Sequence, residues 1–238
     1  MAGSRNCQYG RGWCSSKVPC FAERAPTARW RRLLVVQVGC VMTRLLHVVG
    51  LGGTVRTGSS SEQALRIAVA EAAVQGATTR VFTGAELERL PMYAPEAGDG
   101  GPMARELVDH LRQADGVIIA SPGYHGSMSG LVKNALDYTE DMREDRLPYL
   151  TDRSVGLVVT AYGWQAAVTT LDALRAVVHA LRGWVTPYGA AVNSLQTQFT
   201  DGVCSEPQVA EQLHTVADEV VRFAELASSR DRQALPES

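Results

Sequence analysis

One stretch, Val48–Glu62, constrains the fold of this chain more than any other. An apolar run ends at Gly50, Gly52 and Gly53, passes through hydroxyl side chains and Arg56, and continues with helical spacing. This order is typical of a strand, a tight loop and a helix whose first N–H groups lack internal partners and attract anions. The stretch predicts a phosphate-binding strand–loop–helix, although a polar loop that only caps a helix has the same composition.

Strands and helices alternate five times after residue 42. Two of the strands are uninterrupted apolar runs, which are typical of strands buried on both faces of a parallel sheet. A helix is predicted near the carboxyl end, at Val209–Ala227. The predicted strands are Thr43–Val49, Thr79–Thr83, Gly116–Ser121, Val155–Thr160 and Trp184–Tyr188. The alternation predicts one doubly wound α/β domain.

The charge is distributed unevenly along the chain. The 238 residues carry a net charge of −2, but residues 1–41 hold about +6 and the remainder about −8. A mildly acidic body disfavours a nucleic-acid partner, and no apolar run in it is long enough to span a membrane. Only Cys204 lies in the body, which therefore resembles a reduced, cytoplasmic protein. The other four cysteines lack the spacing of a metal site; they are Cys7, Cys14, Cys20 and Cys40.

Residues 1–41 differ in composition from the rest of the chain. A basic pair before the apolar run Leu33–Cys40 resembles the start of an export signal, but the charged segment that precedes it is long and irregular. We interpret residues 1–41 as a disordered or misassigned extension, with the functional protein starting at Met42. The predicted domain spans 42–228, and a disordered tail is predicted at 229–238.

A second loop, Ser121–Gly130, follows the third predicted strand and leads into a helix. With the first loop, it resembles the NAD(P)H-dependent FMN reductase family. Gly53–Ser59 is similar to that family's Gly-Ser-x-Arg-x-x-Ser signature. Pro122–Asp137 is similar to its Pro-x-Tyr-x-Gly-Ser-x-x-Gly-x-x-Lys-Asn-x-x-Asp run. The resemblance, which covers roughly Thr43–Phe199, implies a flavodoxin-like α/β fold: a doubly wound five-stranded parallel sheet of order 2-1-3-4-5, with helices on both faces.

The resemblance also implies a set of FMN-binding residues. The phosphate would be held by Thr54, Arg56, Ser59, Ser60 and Ser61. The wall along the isoalloxazine ring would be formed by Pro122, Gly123, Tyr124, His125, Gly126 and Ser127, and a third loop would approach the ring at Tyr162 and Gly163. No catalytic side chain and no metal ligand are expected, since the cofactors carry the chemistry of hydride transfer.

The sequence departs from the family pattern at four positions. His125 and Ser61 stand where Asn is common, and Thr54 replaces the commoner Ser. These three side chains keep hydrogen-bonding capacity. Ser129 stands where Pro is common, so we expect a looser entrance to the following helix.

Several site residues also have a structural interpretation. Arg56 could be a solvated loop residue, and Tyr124 could pack in the core. Asn134 and Asp137, on the helix after the second loop, are expected to brace the loops or an interface rather than to take part in chemistry.

The resemblance implies an NAD(P)H-dependent flavin oxidoreductase that transfers a hydride from NADPH or NADH to flavin N5. Its expected use is to supply reduced FMN to a flavin-dependent monooxygenase. One alternative is an azo- or quinone reductase with bound FMN, and another is a flavodoxin-like electron carrier without nicotinamide activity. A small-molecule electron acceptor and a homodimer or homotetramer are also implied. The candidate interface helices are the one entered at Gly130 and the one running to Leu181.

Overall fold

Five parallel strands in the order β2-β1-β3-β4-β5 form the centre of the protein. The computed structural model describes residues 44–96, 98–200 and 202–233, which all belong to one compact unit. The strands are β1 (His47–Gly52), β2 (Thr78–Phe82), β3 (Gly116–Pro122), β4 (Ser154–Ala161) and β5 (Trp184–Asn193). The predicted fold class and strand order are confirmed. The predicted extension at 1–41, with its four cysteines, lies outside the described residues.

The central strands are apolar because both of their faces are covered. Every residue of β3 and of β4 is buried. The register places Leu51 of β1 beside Ile119 of β3, which in turn lies beside Leu157 of β4. A continuous apolar run is the pattern expected of a strand without a solvent face.

Helices cover both faces of the sheet. The helices are α1 (Ser60–Val74), α2 (Gly84–Leu87), α3 (Pro102–Gln113), α4 (Gly130–Asp137), α5 (Trp164–Ala180) and α6 (Pro207–Gln233). One buried cluster joins the sheet to α1 and α6, and a larger one joins it to α3, α4 and α5. Each face thus has its own core. None of the described helices combines the length and the apolar character needed to cross a membrane.

Strand β5 is longer than the sequence predicts. It runs to Asn193, whereas the predicted strand ends at Tyr188. Around Pro187, which has no N–H for a ladder bond, the register shifts: Val155 faces Val185, but Leu157 faces Gly189. The small residues that follow are not typical of a strand, yet a Cβ at Gly189 would come within 2.9 Å of the Leu171 side chain on α5. The close packing of α5 against the sheet explains why the residues in this part of β5 are small.

Three elements near the loops and the carboxyl end differ from expectation. The stretch Gly84–Leu87 forms the short helix α2, which was not predicted. A short antiparallel hairpin, β6 (Phe199–Thr200) and β7 (Val203–Cys204), follows β5 and was not predicted. Helix α6 continues to Gln233, past the predicted domain end at 228. The rest of the predicted tail, 234–238, lies outside the described residues.

Two histidines meet where β1 begins. His47 Nε2 lies 3.1 Å from His110 Nδ1 on α3, and His47 Nδ1 lies 3.0 Å from the Thr78 hydroxyl. The His47 backbone N–H donates to Asp115 at 2.8 Å. Burial, and then the neighbouring His110, lower the pKa of His47. Sequence spacing did not indicate this contact, because the two rings lie 63 residues apart.

A buried guanidinium joins α3 to the start of β4. Arg153 is 4% exposed, and its acceptors among the described residues are all backbone carbonyls. Its Nε donates to Leu111 at 2.8 Å and its Nη2 to Arg112 at 2.8 Å, in the last turn of α3. Its Nη1 donates to Thr151 at 3.0 Å. The cation therefore adds donors to carbonyls at the end of the helix, where the helix dipole favours a positive charge.

Candidate functional site

Three loops leave the sheet at the carboxyl ends of β1, β3 and β4, and we call them the first loop (53–59), the second loop (123–129) and the third loop (162–163). The ends of parallel strands lie at one edge of a sheet, where doubly wound folds bind ligands. Gly53 N–H donates to the Ala120 carbonyl of β3 at 3.1 Å, and Gly123 N–H donates to the Thr160 carbonyl of β4 at 2.8 Å. Each of the first two loops is thus anchored to the neighbouring strand.

The first loop folds around its own hydroxyls. The Thr54 hydroxyl accepts the N–H of Arg56 at 3.2 Å, and the Ser59 hydroxyl accepts the N–H of Glu62 at 3.3 Å. Ser59 is therefore the N-cap of α1, as well as a predicted site residue. The Ser59 and Ser61 hydroxyls lie 3.3 Å apart and are buried.

The first loop leaves hydrogen-bond donors unused. Within the described part of the chain, the N–H groups of Thr54, Ser60 and Ser61 have no acceptor. Arg56 is exposed and has no acidic partner among the same residues. Backbone N–H groups without an acceptor lie at the start of a helix, beside an arginine without an acidic partner. Together they favour the binding of an anion.

Two glycines permit the path of the first loop. A Cβ on Gly52 would lie 1.9 Å from the Ala120 carbonyl oxygen, and a Cβ on Gly84 would lie 1.8 Å from the Thr54 carbonyl oxygen. The loop therefore passes between the end of β3 and the start of α2 without room for side chains. Gly84 is absent from the predicted site. Thr83 followed by Glu86 is a helix-start signature that could have revealed α2, and the Glu86 carboxylate does accept the Thr83 N–H at 2.9 Å.

A buried carboxylate lies at the base of the first loop. Glu62 is 5% exposed, and its Oε2 accepts the Gly58 N–H at 3.3 Å. Its Oε1 accepts from Arg66 Nε at 3.0 Å and Nη2 at 2.8 Å. The arginine neutralises a negative charge that would otherwise oppose an anion here.

The second loop contains a tight turn. Tyr124 and Ser127 exchange backbone hydrogen bonds of 2.8 and 3.0 Å. Between them, His125 has φ 51° and Gly126 has φ 82°, the signs of a type I′ turn. His and Asn both tolerate this left-handed region better than most residues, so the conformation explains His125 at a position where Asn is common. The N–H groups of His125 and Gly126 have no acceptor among the described residues.

Ser129 ends the second loop without loosening it. Its hydroxyl accepts the Val132 N–H at 3.2 Å and caps α4. Its own N–H donates to the Ser121 hydroxyl at 3.0 Å. The expected looser helix entrance is therefore wrong, because the serine hydroxyl supplies a cap.

A cavity of about 420 Å³ opens between the second and third loops. Aromatic side chains stand exposed around it: Tyr162 is 76% exposed, Trp164 51% and Tyr124 52%. Tyr124 is therefore not a core residue. The cavity is lined by Gly126, Tyr162, Gly163, Trp164, Gln165, Ala166 and Thr169. Trp164, Gln165 and Thr169 extend the predicted site, and their place on the first turns of α5 after a strand-end loop is the signal that could have indicated them.

Asn134 has a structural role, although its partners lie outside the three loops. Its Oδ1 accepts the Tyr93 N–H at 2.8 Å, and its Nδ2 donates to the Pro91 carbonyl at 2.8 Å. One amide thus holds the Pro91–Tyr93 segment against α4. Asp137 instead pairs with Lys133 on the helix surface.

A second cavity, of about 350 Å³, lies at the far end of α1, beside α6. Three acidic side chains, Asp218, Glu219 and Glu225, line it beside one cation, Arg222, so its net negative charge does not suit a phosphate. Among the described residues, no group of three or more His, Cys, Asp or Glu could hold a metal ion. The three loops are the better candidate site.

Comparisons with known proteins agree with this choice. Residues 46–198, which include all three loops, match the family described as NADPH-dependent FMN reductase. An NADPH azoreductase of Bacillus sp. (strain OY1-2) is 28% identical over 138 residues, or 58% of this chain and 72% of that protein. An NAD(P)H-dependent FMN reductase of Pseudomonas aeruginosa is 30% identical over 95 residues, or 39% of this chain and 49% of that protein.

A solved structure shares the fold. The flavoenzyme NAD(P)H:(acceptor) oxidoreductase from Paracoccus denitrificans superposes with a TM-score of 0.64 at 19% identity, over 77% of this chain and 99% of that one. At this identity the likeness supports the architecture alone.

Proposed function

Because the chain belongs to the NADPH-dependent FMN reductase family, we propose that it binds FMN at the three loops and reduces it for a small-molecule acceptor. The family expected from the first two loops is confirmed, and with it the enzyme class, NAD(P)H-dependent flavin oxidoreductase, and the cofactors FMN and NADPH or NADH. The roles of individual residues and the acceptor belong to the proposal.

The first loop suits the phosphate end of FMN. Its unused N–H groups at Thr54, Ser60 and Ser61 and the unpaired Arg56 are the donors that a phosphate dianion requires. The hydroxyls of Ser59 and Ser61 add donors from a buried position. This set of unused donors is the observation that carries the proposal.

The second and third loops suit the isoalloxazine ring of FMN. The free N–H groups of the His125–Gly126 turn can donate to a polar ring edge. Gly123 allows a close approach to α5, since a Cβ there would lie 3.0 Å from the Thr170 hydroxyl. That hydroxyl donates to the Ser127 carbonyl at 3.3 Å and steadies the turn. Pro122, at the buried end of β3, and Tyr162 and Gly163 of the third loop complete the proposed wall.

The chain's own residues bind and orient, and they supply no acid or base. A bound FMN would supply the chemistry of hydride acceptance and electron transfer, and residues of the three loops would hold it. His125 contributes its backbone N–H and its left-handed conformation. The open cavity beside Tyr162 and Trp164 gives the nicotinamide and the acceptor room to enter in turn.

The acceptor has two candidates. The family description supports free FMN as the acceptor, and we propose that the reduced FMN is then handed on to a flavin-dependent monooxygenase. The name of the Bacillus relative, an NADPH azoreductase, supports an azo dye, and a quinone is the other aromatic acceptor in this alternative. In both cases we propose a cytoplasmic homodimer or homotetramer that pairs through α4 and α5. Trp164 and Val168 are exposed on α5, and Tyr162 is exposed just before it.

Purification and rapid kinetics test the proposal. We expect a yellow protein whose bound FMN is bleached by NADPH or NADH in a stopped-flow instrument. A turnover screen against free FMN, quinones and azo dyes then separates the two acceptor classes. Arg56→Ala should weaken FMN binding, whereas Arg89→Ala, at an exposed position after α2, should not. Bound flavin that neither nicotinamide bleaches would instead indicate an electron carrier.

A further inference from the structure

One side chain connects the first loop to the β6–β7 hairpin. Gln63, in the first turns of α1, donates from Nε2 to the Gly58 carbonyl at 2.9 Å and to the Phe199 carbonyl at 3.2 Å. Its Oε1 accepts the Gly202 N–H at 3.5 Å. The side chain thus contacts the backbone of the loop and of both ends of the hairpin turn.

Gly58 is held from two sides. Its N–H donates to Glu62 at 3.3 Å, and its carbonyl accepts from Gln63. Gly58 has φ 69°, and nothing lies within 4 Å of the position that a Cβ would take, so it has no packing of its own to fix it. The orientation of the peptides around Gly58 therefore depends on these two neighbouring side chains of α1.

The hairpin supplies the other end of this connection. It is closed by its own bonds, in which the Ser205 N–H donates to the Gln198 carbonyl at 2.9 Å and the Gln198 N–H donates to the Ser205 hydroxyl at 3.0 Å. Among the described residues, every hydrogen bond between α1 and the hairpin involves the Gln63 side chain. The hairpin is thus a fixed support, and Gln63 is its link to the first loop.

We propose that Gln63 is a positioning residue for the phosphate of FMN: it holds the first loop against the hairpin in the conformation that presents its free N–H groups. This inference rests on the proposed function. It also gives the β6–β7 hairpin a role in retaining the cofactor. The contribution acts through the loop rather than through contact with the flavin, so it should affect only ligands that carry the phosphate.

The test compares FMN with riboflavin, which has the same ring and lacks the phosphate. In Gln63→Met, which keeps the length and helix propensity of the side chain, the dissociation constant of FMN should rise roughly tenfold. The dissociation constant of riboflavin should stay at the wild-type value. Gln75→Met, at the other end of α1, is the matched control, since its amide bonds to Glu71 and Asp218 away from the loops.

The possible outcomes distinguish a failure of the role proposed for Gln63 from a failure of the proposed function. Wild-type protein that binds neither flavin overturns the proposed function. Wild-type protein that binds FMN, together with a Gln63→Met variant of equal FMN affinity, overturns only the role of Gln63. An equal loss for FMN and riboflavin also overturns it, since that result indicates general damage. Gln63→Leu, which removes both donors and the acceptor without adding a charge, gives a second variant with the same expected results if the first folds poorly.

Discussion

Glu62 and Arg66 form an ion pair in which the carboxylate is buried and the guanidinium is half exposed. The Glu62 side chain is 7% exposed and that of Arg66 is 53% exposed. Both arginine donors contact Oε1, while Oε2 accepts the Gly58 N–H of the first loop. The pair thus sets the charge directly beneath the proposed phosphate site.

Arg66→Gln should weaken FMN binding although Arg66 belongs to no loop. The substitution leaves the Glu62 charge without its cation, and a nearby negative charge opposes the phosphate. We expect the FMN dissociation constant to rise roughly three- to tenfold at low salt, and less at high salt because of screening. Titration of apoprotein by flavin fluorescence quenching measures this change.

The double variant Glu62→Gln/Arg66→Gln provides the control for that prediction. It removes both charges, so FMN affinity should return close to the wild-type value. If the double variant binds FMN as weakly as Arg66→Gln alone, the effect is not electrostatic.

Gly84→Ala should distort the first loop from outside it. The added Cβ would lie 1.8 Å from the Thr54 carbonyl oxygen, so either the loop or α2 must shift. We expect a loss of about 1–3 kcal/mol in the free energy of unfolding, with weaker FMN binding. Gly130→Ala is the matched control, because Gly130 is also the first residue of its helix and has nothing within 4 Å of the new methyl group. A Gly84→Ala variant as stable as Gly130→Ala would contradict the close approach.

The contact between His47 and His110 should make stability depend on pH. The pKa of His47 lies below its usual 6.5, through burial and then through the neighbouring His110. Below pH 6.5 the unfolded chain therefore binds protons that the folded chain does not, and the free energy of unfolding falls as the pH falls, until His47 also titrates in the folded state. Urea unfolding between pH 8 and pH 5 measures this fall.

His47→Asn should reduce the fall in stability with pH. His179→Asn, at an exposed position in the last turn of α5, should leave it in place. Equal pH dependence in the wild-type and His47→Asn proteins would show that other groups cause the fall.

Arg153→Met should destabilise the protein without changing the site. The substitution removes the donors to the carbonyls of Leu111, Arg112, Tyr149 and Thr151, and the bond to Leu111 is fully buried. We expect a loss of about 2–4 kcal/mol in the free energy of unfolding, with FMN affinity unchanged at temperatures where the variant is folded. Arg153→Lys should restore little of the lost stability, because an ammonium group cannot reproduce the planar set of N–H donors of a guanidinium. Full rescue by lysine would mean that only the charge matters.

The sheet and the first two loops could be predicted because their signals are local. The buried strands are continuous apolar runs, and each loop carries its glycines and hydroxyls within a few residues of a strand end. The strand order came with the family resemblance rather than with any periodicity. The capping role of Ser59 was also visible, since an N-cap and an anion site require the same kind of residue.

The missed features depend on contacts that are distant in sequence or on backbone conformation. Gln63 reaches Phe199 across 136 positions, and the continuation of β5 depends on α5 packing against Gly189. The left-handed conformation of His125 could not be predicted from one sequence, because histidine adopts it only when a turn imposes it.

Solvent exposure changes sharply, within a few residues, where each of the three loops leaves the sheet. Ala120 and Val159 are buried in the sheet, whereas His125 and Tyr162 are exposed just beyond the strand ends. Backbone amides in the strands should exchange with deuterium only through global opening, while those at the loop tips exchange through local fluctuation. The exchange rate should therefore change by orders of magnitude within about five residues of each strand end. Bound flavin would slow exchange at the loop tips most, and would thereby report which of the three loops it contacts.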